Sequence, residues 1–355
     1  MSKVVVLKTK PESVLEDYKK LMHLAEYEKA LLKDKETILK LNLSWSLYFP
    51  SCSTEPWQLD GVLGTMIEDG YKRIVPVENK TVVTDPWKGA KLNKWLPILE
   101  KYNLKFQPLT EVKWIPYKPK SEMLAMYKIF PDGFSIPEML IGKNVLHLPT
   151  QKTHGHSIIT GAMKNAFGGL LTKRRHHSHK LIHEVLVDLL KIQKEIHTGI
   201  FAIVDGTVCG DGAGPRAMIS RIENYILASE DQVAIDAISA KMMGYDPMKI
   251  PFIKISHDLG LGMGDPEQIE IIGEDIKNVN YHFTTKKSLV ILWDQIFRKG
   301  SLSFLEPLVF HTPIFNLCIL GSEAYHDYIW YPTIGRKRIN DFMKTEWGKL
   351  FQKYQ

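Results

Sequence analysis

The feature that most constrains this fold is an alternation of short apolar runs with amphipathic stretches in the N-terminal third. "ETILKLNLSW", Glu36 to Trp45, places Ile38, Leu39, Leu41 and Leu43 among few charges, then breaks into "SLYFPSCSTEP", as a buried strand opening into a loop does. Thr54 offers a cap and Pro56 a first-turn proline, and "WQLDGVLGTMIEDGY" carries apolar residues at helical spacing until Gly70 stops it. "KRIVPVEN" reads as the next strand and "PWKGAKLNKWLPILEKYNL" as the next helix. Strand, helix, strand, helix in succession predicts an α/β fold with a doubly wound, mainly parallel sheet, in two lobes with a cleft between them, because parallel neighbours need a crossover. Loops at the strand ends would form that cleft.

Residues 111–150 read as strands, "EVKWIPY", "FSIPEML" and "NVLHLPTQKTHG", separated by Pro and Gly. Helices are expected around His156–Phe167 and His179–Lys194, then the strand "GIFAIVDGTVCGDGAGP" with its glycine-rich loop. "ENYILASEDQVAIDAISAKMMGYDP" gives a strand, a turn at Asp231 and a helix anchored by Asp236 and closed by Gly244. Beyond about residue 273 the chain is aromatic and irregular. The expected division is an α/β unit over residues 1–272, with sublobes 1–110 and 111–272, and a C-terminal extension, 273–355, packed on it.

Composition narrows the function classes. With 44% hydrophobic and 24% charged residues and no repeat, the chain is globular rather than fibrous or disordered. "MSKVVVLKTKPESV" lacks the apolar core of a signal peptide and reads as a first strand. The longest apolar stretch, Leu305 to Leu320, is broken by Glu306, Pro307, His311, Thr312, Pro313 and Asn316, so no membrane partner is expected. Cys52, Cys209 and Cys318 form no Cys-x-x-Cys, so no iron–sulfur cluster is expected and a reducing cytoplasm fits. A net charge of +6 is modest, and nucleic acid is not the expected partner.

The chemistry-bearing stretch is "KTHGHSIITGAMKNAFGGLLTKRRHHSHK", Lys152 to Lys180, which holds five of the thirteen histidines. Imidazole titrates near neutrality, so His154, His156, His176 and His177 can act as acids, bases or metal ligands if folding brings them together. Lys164 sits among Ile158, Ile159, Met163 and Phe167, where burial would depress its pKa and make it a base or nucleophile. Asn165 beside it can donate to a carboxylate or a developing oxyanion. Arg174 and Arg175 can grip an anion bidentately, with Lys40, Asn42 and Lys152 at predicted strand ends. "KRRHHSHK" lacks the interleaved aromatics that stack on bases. "DGTVCGDGAGP" matches neither Walker A nor G-x-G-x-x-G, and its Asp205 and Asp211 can bind a cation, orient a histidine or simply form turns.

Three pieces in order, "TGAMKNAFG", "DGTVCGDGAGP" and "ASEDQVAIDA", together with "LKLNLSW" and "RRHHSH", resemble the domain of unknown function 362 family over roughly residues 1–272. Members often have Lys-Pro-Asn where this chain has Lys40-Leu41-Asn42, and some carry a ferredoxin-like module that is absent here. The succession His154, Thr160-Gly161, Lys164 and later histidines is also distantly similar to the nickel-pincer lactate racemase arrangement. The resulting expectation is an enzyme that performs isomerisation, elimination or hydrolysis on a small carboxylate- or phosphate-bearing molecule. Its acid–base groups would be His154, His156, Lys164, Asn165, His176 and His177. The alternative is a noncatalytic metal-binding, cofactor-binding or maturation protein, a divalent metal resting on His154, His176 and His177; homo-oligomerisation is open.

Overall fold

The computed structural model describes residues 1–81, 83–285, 289–310 and 312–355, with all side chains among them except those of Lys173, Arg174, Leu289, Val290, Ile291, Lys299 and Pro307. Its strands are β1 (Lys3–Lys8), β2 (Thr37–Lys40), β3 (Ile74–Glu78), β4 (Gln107–Pro108), β5 (Trp114–Tyr117), β6 (Phe134–Pro137), β7 (Asn144–His147), β8 (Thr150–His154), β9 (Ile158–Thr160), β10 (Gly199–Ala213), β11 (Ala217–Ser229) and β12 (Glu270–Gly273). One mixed sheet runs β12-β1-β11-β10-β7-β2-β3-β4, with β8 and β9 leading off β10, while β5 and β6 pair separately. Strands β10, β7, β2, β3 and β4 are parallel neighbours; β11 joins β10 and β1 antiparallel.

Side chains alternate across a strand, so each face of this sheet has its own core. Val4, Val6, Ile38, Val145 and Ala202 enter one; Val5, Leu7, Leu39, Leu146 and Phe201 enter the other. The second face is covered by α1 (Val14–Leu24) and α2 (Pro56–Glu68), through Tyr18, Leu21, Trp57 and Val62. The first is covered by α3 (Ala162–Leu170), α4 (Ile182–Ile196) and α5 (Gln232–Met243). Strand β2 is buried along its whole length, which is why Ile38 and Leu39 at its middle are apolar on both faces rather than alternating with polar residues. The α/β class with its largely parallel central sheet follows directly.

The region expected to be helical from His156 differs in detail. Residues Ile158–Thr160 extend and pair antiparallel with β8, so α3 starts only at Ala162. Ile159 and Thr160 are β-branched and favour the extended form, whereas Ile158 enters the strand at a φ of 70°, in the left-handed region. Asp236, deep within α5, sets the start of α3 by accepting the backbone N–H groups of Ala162 at 2.6 Å and Met163 at 3.1 Å. Gly161 makes that approach possible, since a Cβ there would lie 2.0 Å from Asp236 Oδ1. Asp231 caps α5 itself, through Val233 and Ala234.

After β12 the chain continues into α6 (Leu289–Lys299), short helical turns, α7 (Ile314–Glu323), a wide helical run (Ala324–Gly335) and two terminal helices (Arg336–Phe342 and Glu346–Lys353). Aromatic contacts hold this extension down. Trp45 packs on Trp330 with centroids 5.9 Å apart and donates to Asp327 at 2.8 Å, while Trp57 meets Trp347 and Tyr48 stacks on Phe351. Among the described residues no helix is long and apolar enough to cross a membrane.

Candidate functional site

A cavity of about 530 Å³ opens at the carboxyl ends of β2, β3 and β8 and is roofed by the C-terminal extension. Parallel strands end there, and the loops beyond them diverge to leave a crevice. Lys40 ends β2, Glu78 ends β3 and His154 ends β8. Lys40 Nζ lies 2.9 Å from both carboxylate oxygens of Glu78, in a buried ion pair. Gly168 of α3 lets that pair lie close to the helix: a Cβ there would be 3.3 Å from both Glu78 Oε1 and Lys40 Nζ.

Helix α3 presents Lys164, Asn165, Phe167 and Gly168 to the cavity while Met163, Ala166 and Leu170 face the core. Lys164 is half-buried, with its ammonium 5.5 Å from the Phe167 ring centroid. Desolvation first, then the nearby charges of Lys152, Arg175 and Lys40, push its pKa down to about 7. Asn165 donates to the carbonyl of Lys40 at 2.9 Å, and its buried Oδ1 has no partner.

His154 Nδ1 accepts the backbone N–H groups of His156 at 3.1 Å and Ser157 at 3.3 Å. In the neutral ring the proton therefore sits on Nε2, making this side chain a donor. Burial, then Lys164 and the neighbouring histidines, holds its pKa well below the usual imidazole value. His156 stacks on His179 with centroids 4.6 Å apart and pairs with Asp294 at 3.3 Å. His176 lies flat against Phe315 at 4.1 Å.

The structure thus brings His154, His156, Lys164, Asn165, His176, Lys40, Asn42 and Arg175 to one cavity. His177 stands edge-on to His176 without lining it. Lys152 is fully buried behind the wall, donating to Asn42 Oδ1, and burial lowers its pKa to about 8. Arg175, expected to grip an anion, is buried and donates instead to the carbonyls of Gly168 at 3.2 Å and Lys80 at 2.6 Å; the Arg174 side chain lies outside the described residues. Asp205 is a packing group away from the cavity, accepting from Tyr18 at 2.7 Å, Trp57 at 3.0 Å and Thr207 at 2.6 Å. Asp211 accepts from the backbone of Thr284 at 2.8 Å, also away from it. No group of three or more His, Cys, Asp or Glu placed to hold a metal ion occurs among the described residues.

Several lining residues escaped sequence reasoning. Glu78 was signalled only as a strand-end acid in "VEN", His179 as the last histidine of its cluster, and Arg216 as the residue after "GAGP". Trp293, Asp294, Phe297, Arg298, Phe310, Phe315 and Ile319 form the roof, and only their helical spacing hinted at a buried face.

Fold and cavity together define an α/β protein with a lysine–histidine crevice at the ends of parallel strands. The chain belongs to the family described as a domain of unknown function (DUF362), whose model matches residues 37–241, more than half of the chain. It is 26% identical over 180 residues to a thylakoid-associated protein of Synechocystis sp., a match covering 48% of this chain and 52% of that protein. The chain thus aligns with about half the length of this curated relative. No solved structure matches, and neither finding carries the distant likeness to nickel-pincer racemases. The roof lies outside the family match.

Proposed function

We propose that this protein is an enzyme moving a proton on a small carboxylate- or phosphate-bearing substrate, with Lys164 as the base. The observation that carries the reading is the cavity-facing Lys164 with a pKa near 7, at which a substantial fraction of the amine is neutral. The cationic surroundings of Lys40, Lys152 and Arg175 have two effects: they disfavour the ammonium form and attract an anion. Neutral Lys164 takes a proton from an acidic carbon or hydroxyl of the substrate. His154 Nε2–H donates to the oxygen on which negative charge develops, while Asn165 holds the end of β2 in place through the Lys40 carbonyl. The ammonium formed on Lys164 then rests against the face of Phe167.

Isomerisation, elimination and hydrolysis all fit this arrangement. A cytoplasmic setting belongs to the same proposal, supported by the free thiols of Cys52, Cys209 and Cys318. The rival, a noncatalytic holder of a metal or anionic cofactor, would use the same histidines. Depletion of a metabolite mixture by purified protein, compared with Lys164→Arg, is the test: one metabolite consumed by the native chain and spared by the variant supports the proposal. Stoichiometric metal in fresh protein with no metabolite consumed would favour the rival.

A further inference from the structure

Two arginines on the cavity wall, Arg216 and Arg298, each keep a buried Nη1 without a partner. One other nitrogen of each is engaged. Arg216 Nη2 donates to Ser322 Oγ at 2.9 Å, and Arg298 Nε donates to the two carboxylate oxygens of Asp294 at 2.9 and 3.1 Å. The Arg298 guanidinium lies 3.7 Å from the centre of the Phe310 ring, which shields it from water and fixes its plane. Folded proteins rarely leave such donors unmade, and two guanidinium groups lining one cavity are suited to carboxylate or phosphate oxygens.

Phe297, Phe310, Phe315 and Ile319 face the same space. A wholly polar anion placed against them would lose its water without gaining partners. The volume is that of a small-molecule site rather than of a bare ion. We infer that the ligand of this cavity is an anion carrying an aromatic or branched apolar body, its oxygens accepting from the guanidinium groups of Arg216 and Arg298 and its body lying against Phe297, Phe310, Phe315 and Ile319. This rests on the reading of the cavity as a site for an anionic substrate. It assigns the anion to the roof and its neighbour Arg216, because the Arg175 guanidinium already serves the carbonyls of Gly168 and Lys80.

Titration calorimetry on the full chain tests it with four probes: 1-naphthyl phosphate, 1-naphthoate, inorganic phosphate and 1-naphthol. At least one naphthyl anion should bind about tenfold more tightly than both inorganic phosphate and naphthol, and which anion wins distinguishes phosphate from carboxylate recognition. Arg216→Gln and Arg298→Gln should each weaken that anion about tenfold and leave naphthol unchanged, since a charge-assisted hydrogen bond is lost. If Arg298→Gln loses its near-ultraviolet circular dichroism, Arg298→Lys replaces it: the charge stays, the planar fork goes, and anion affinity should still fall. Absence of binding by both naphthyl anions, equal binding of inorganic phosphate, or unchanged anion affinity in both arginine variants would overturn the inference. These are binding readouts, so their failure is separable from failure of the Lys164 reading, which appears in turnover.

Discussion

His156 Nε2 lies 3.3 Å from Asp294 Oδ2, tying the loop after β8 to helix α6 of the roof. The contact is reinforced by the neighbouring residue of each segment, where Gln295 donates to the carbonyl of Gly155 at 2.7 Å. Floor and roof of the cavity therefore meet along this short seam, and also where Arg216 donates to Ser322 and His176 stacks on Phe315, while the Trp45 cluster holds the extension from behind.

Asp294→Asn keeps the side chain's size and removes the charge that both His156 and Arg298 use. Amide hydrogen exchange over residues 289–299 should rise by about tenfold, while amides of β2, β7 and β10 keep their protection, because the sheet core does not depend on the seam. Exchange over α6 equal to that of the native protein would show that the seam does not hold the roof.

Lys164→Arg and Lys164→Met should fold with near-native melting temperatures and lose turnover by about 10²–10⁴-fold, the usual contribution of a general base. Arginine does not deprotonate in this range, and methionine has no amine. In the native enzyme kcat/KM should rise with pH through about 7, the limb set by loss of the Lys164 proton. Full activity in the arginine variant would reduce this lysine to a source of positive charge.

Asp236 predicts a pH effect on stability. Burial raises its pKa from 3.8 to about 7, against the pull of the two N–H groups it accepts from Ala162 and Met163. The folded state then holds this proton more tightly than the unfolded chain. Its stabilisation is full below about 3.8 and lost as pH rises through about 7, an effect of order a few kcal/mol. Asp236→Asn cannot titrate, so its melting temperature should vary less over that window than the native one; parallel melting curves for the two would refute this assignment.

The Lys40–Glu78 pair predicts a mutant cycle. Lys40→Met strands a buried carboxylate and should cost about 3–5 kcal/mol in urea unfolding, whereas adding Glu78→Met should recover most of the loss. A double mutant as unstable as the single one would mean that the lysine stem, rather than the charge balance, supplies the stability.

What the residue pattern made legible was local. Strands β2 and β3 and helix α2 announce themselves because the middle of a buried parallel strand is apolar on both faces and a packed helix must repeat its apolar residues every turn. For the same reason, the run from His154 to His179 confined most of the candidate chemistry to one loop, one helix and the turns after it. Depth and partners were not legible. Arg174-Arg175 reads as an exposed anion clamp, yet the Arg175 guanidinium meets the carbonyls of Lys80 and Gly168; Asp205 reads as a loop ligand, yet Tyr18 and Trp57 claim it.

The sequence by itself determined which titratable groups exist and that the chain forms a wound α/β sheet, since both follow from residue types and their short-range spacing. Only the tertiary structure decided which of those groups share a cavity and in which protonation state. The roof arrives from residues 293–322, far along the chain from Lys164, and an apolar helix face states that it will be buried without stating against what. Lys164 has a pKa near 7 because α3 withdraws it from water while Lys40, Lys152 and Arg175 converge on it from three other segments, and desolvation and Coulomb repulsion depend on distance in space rather than on position in the chain.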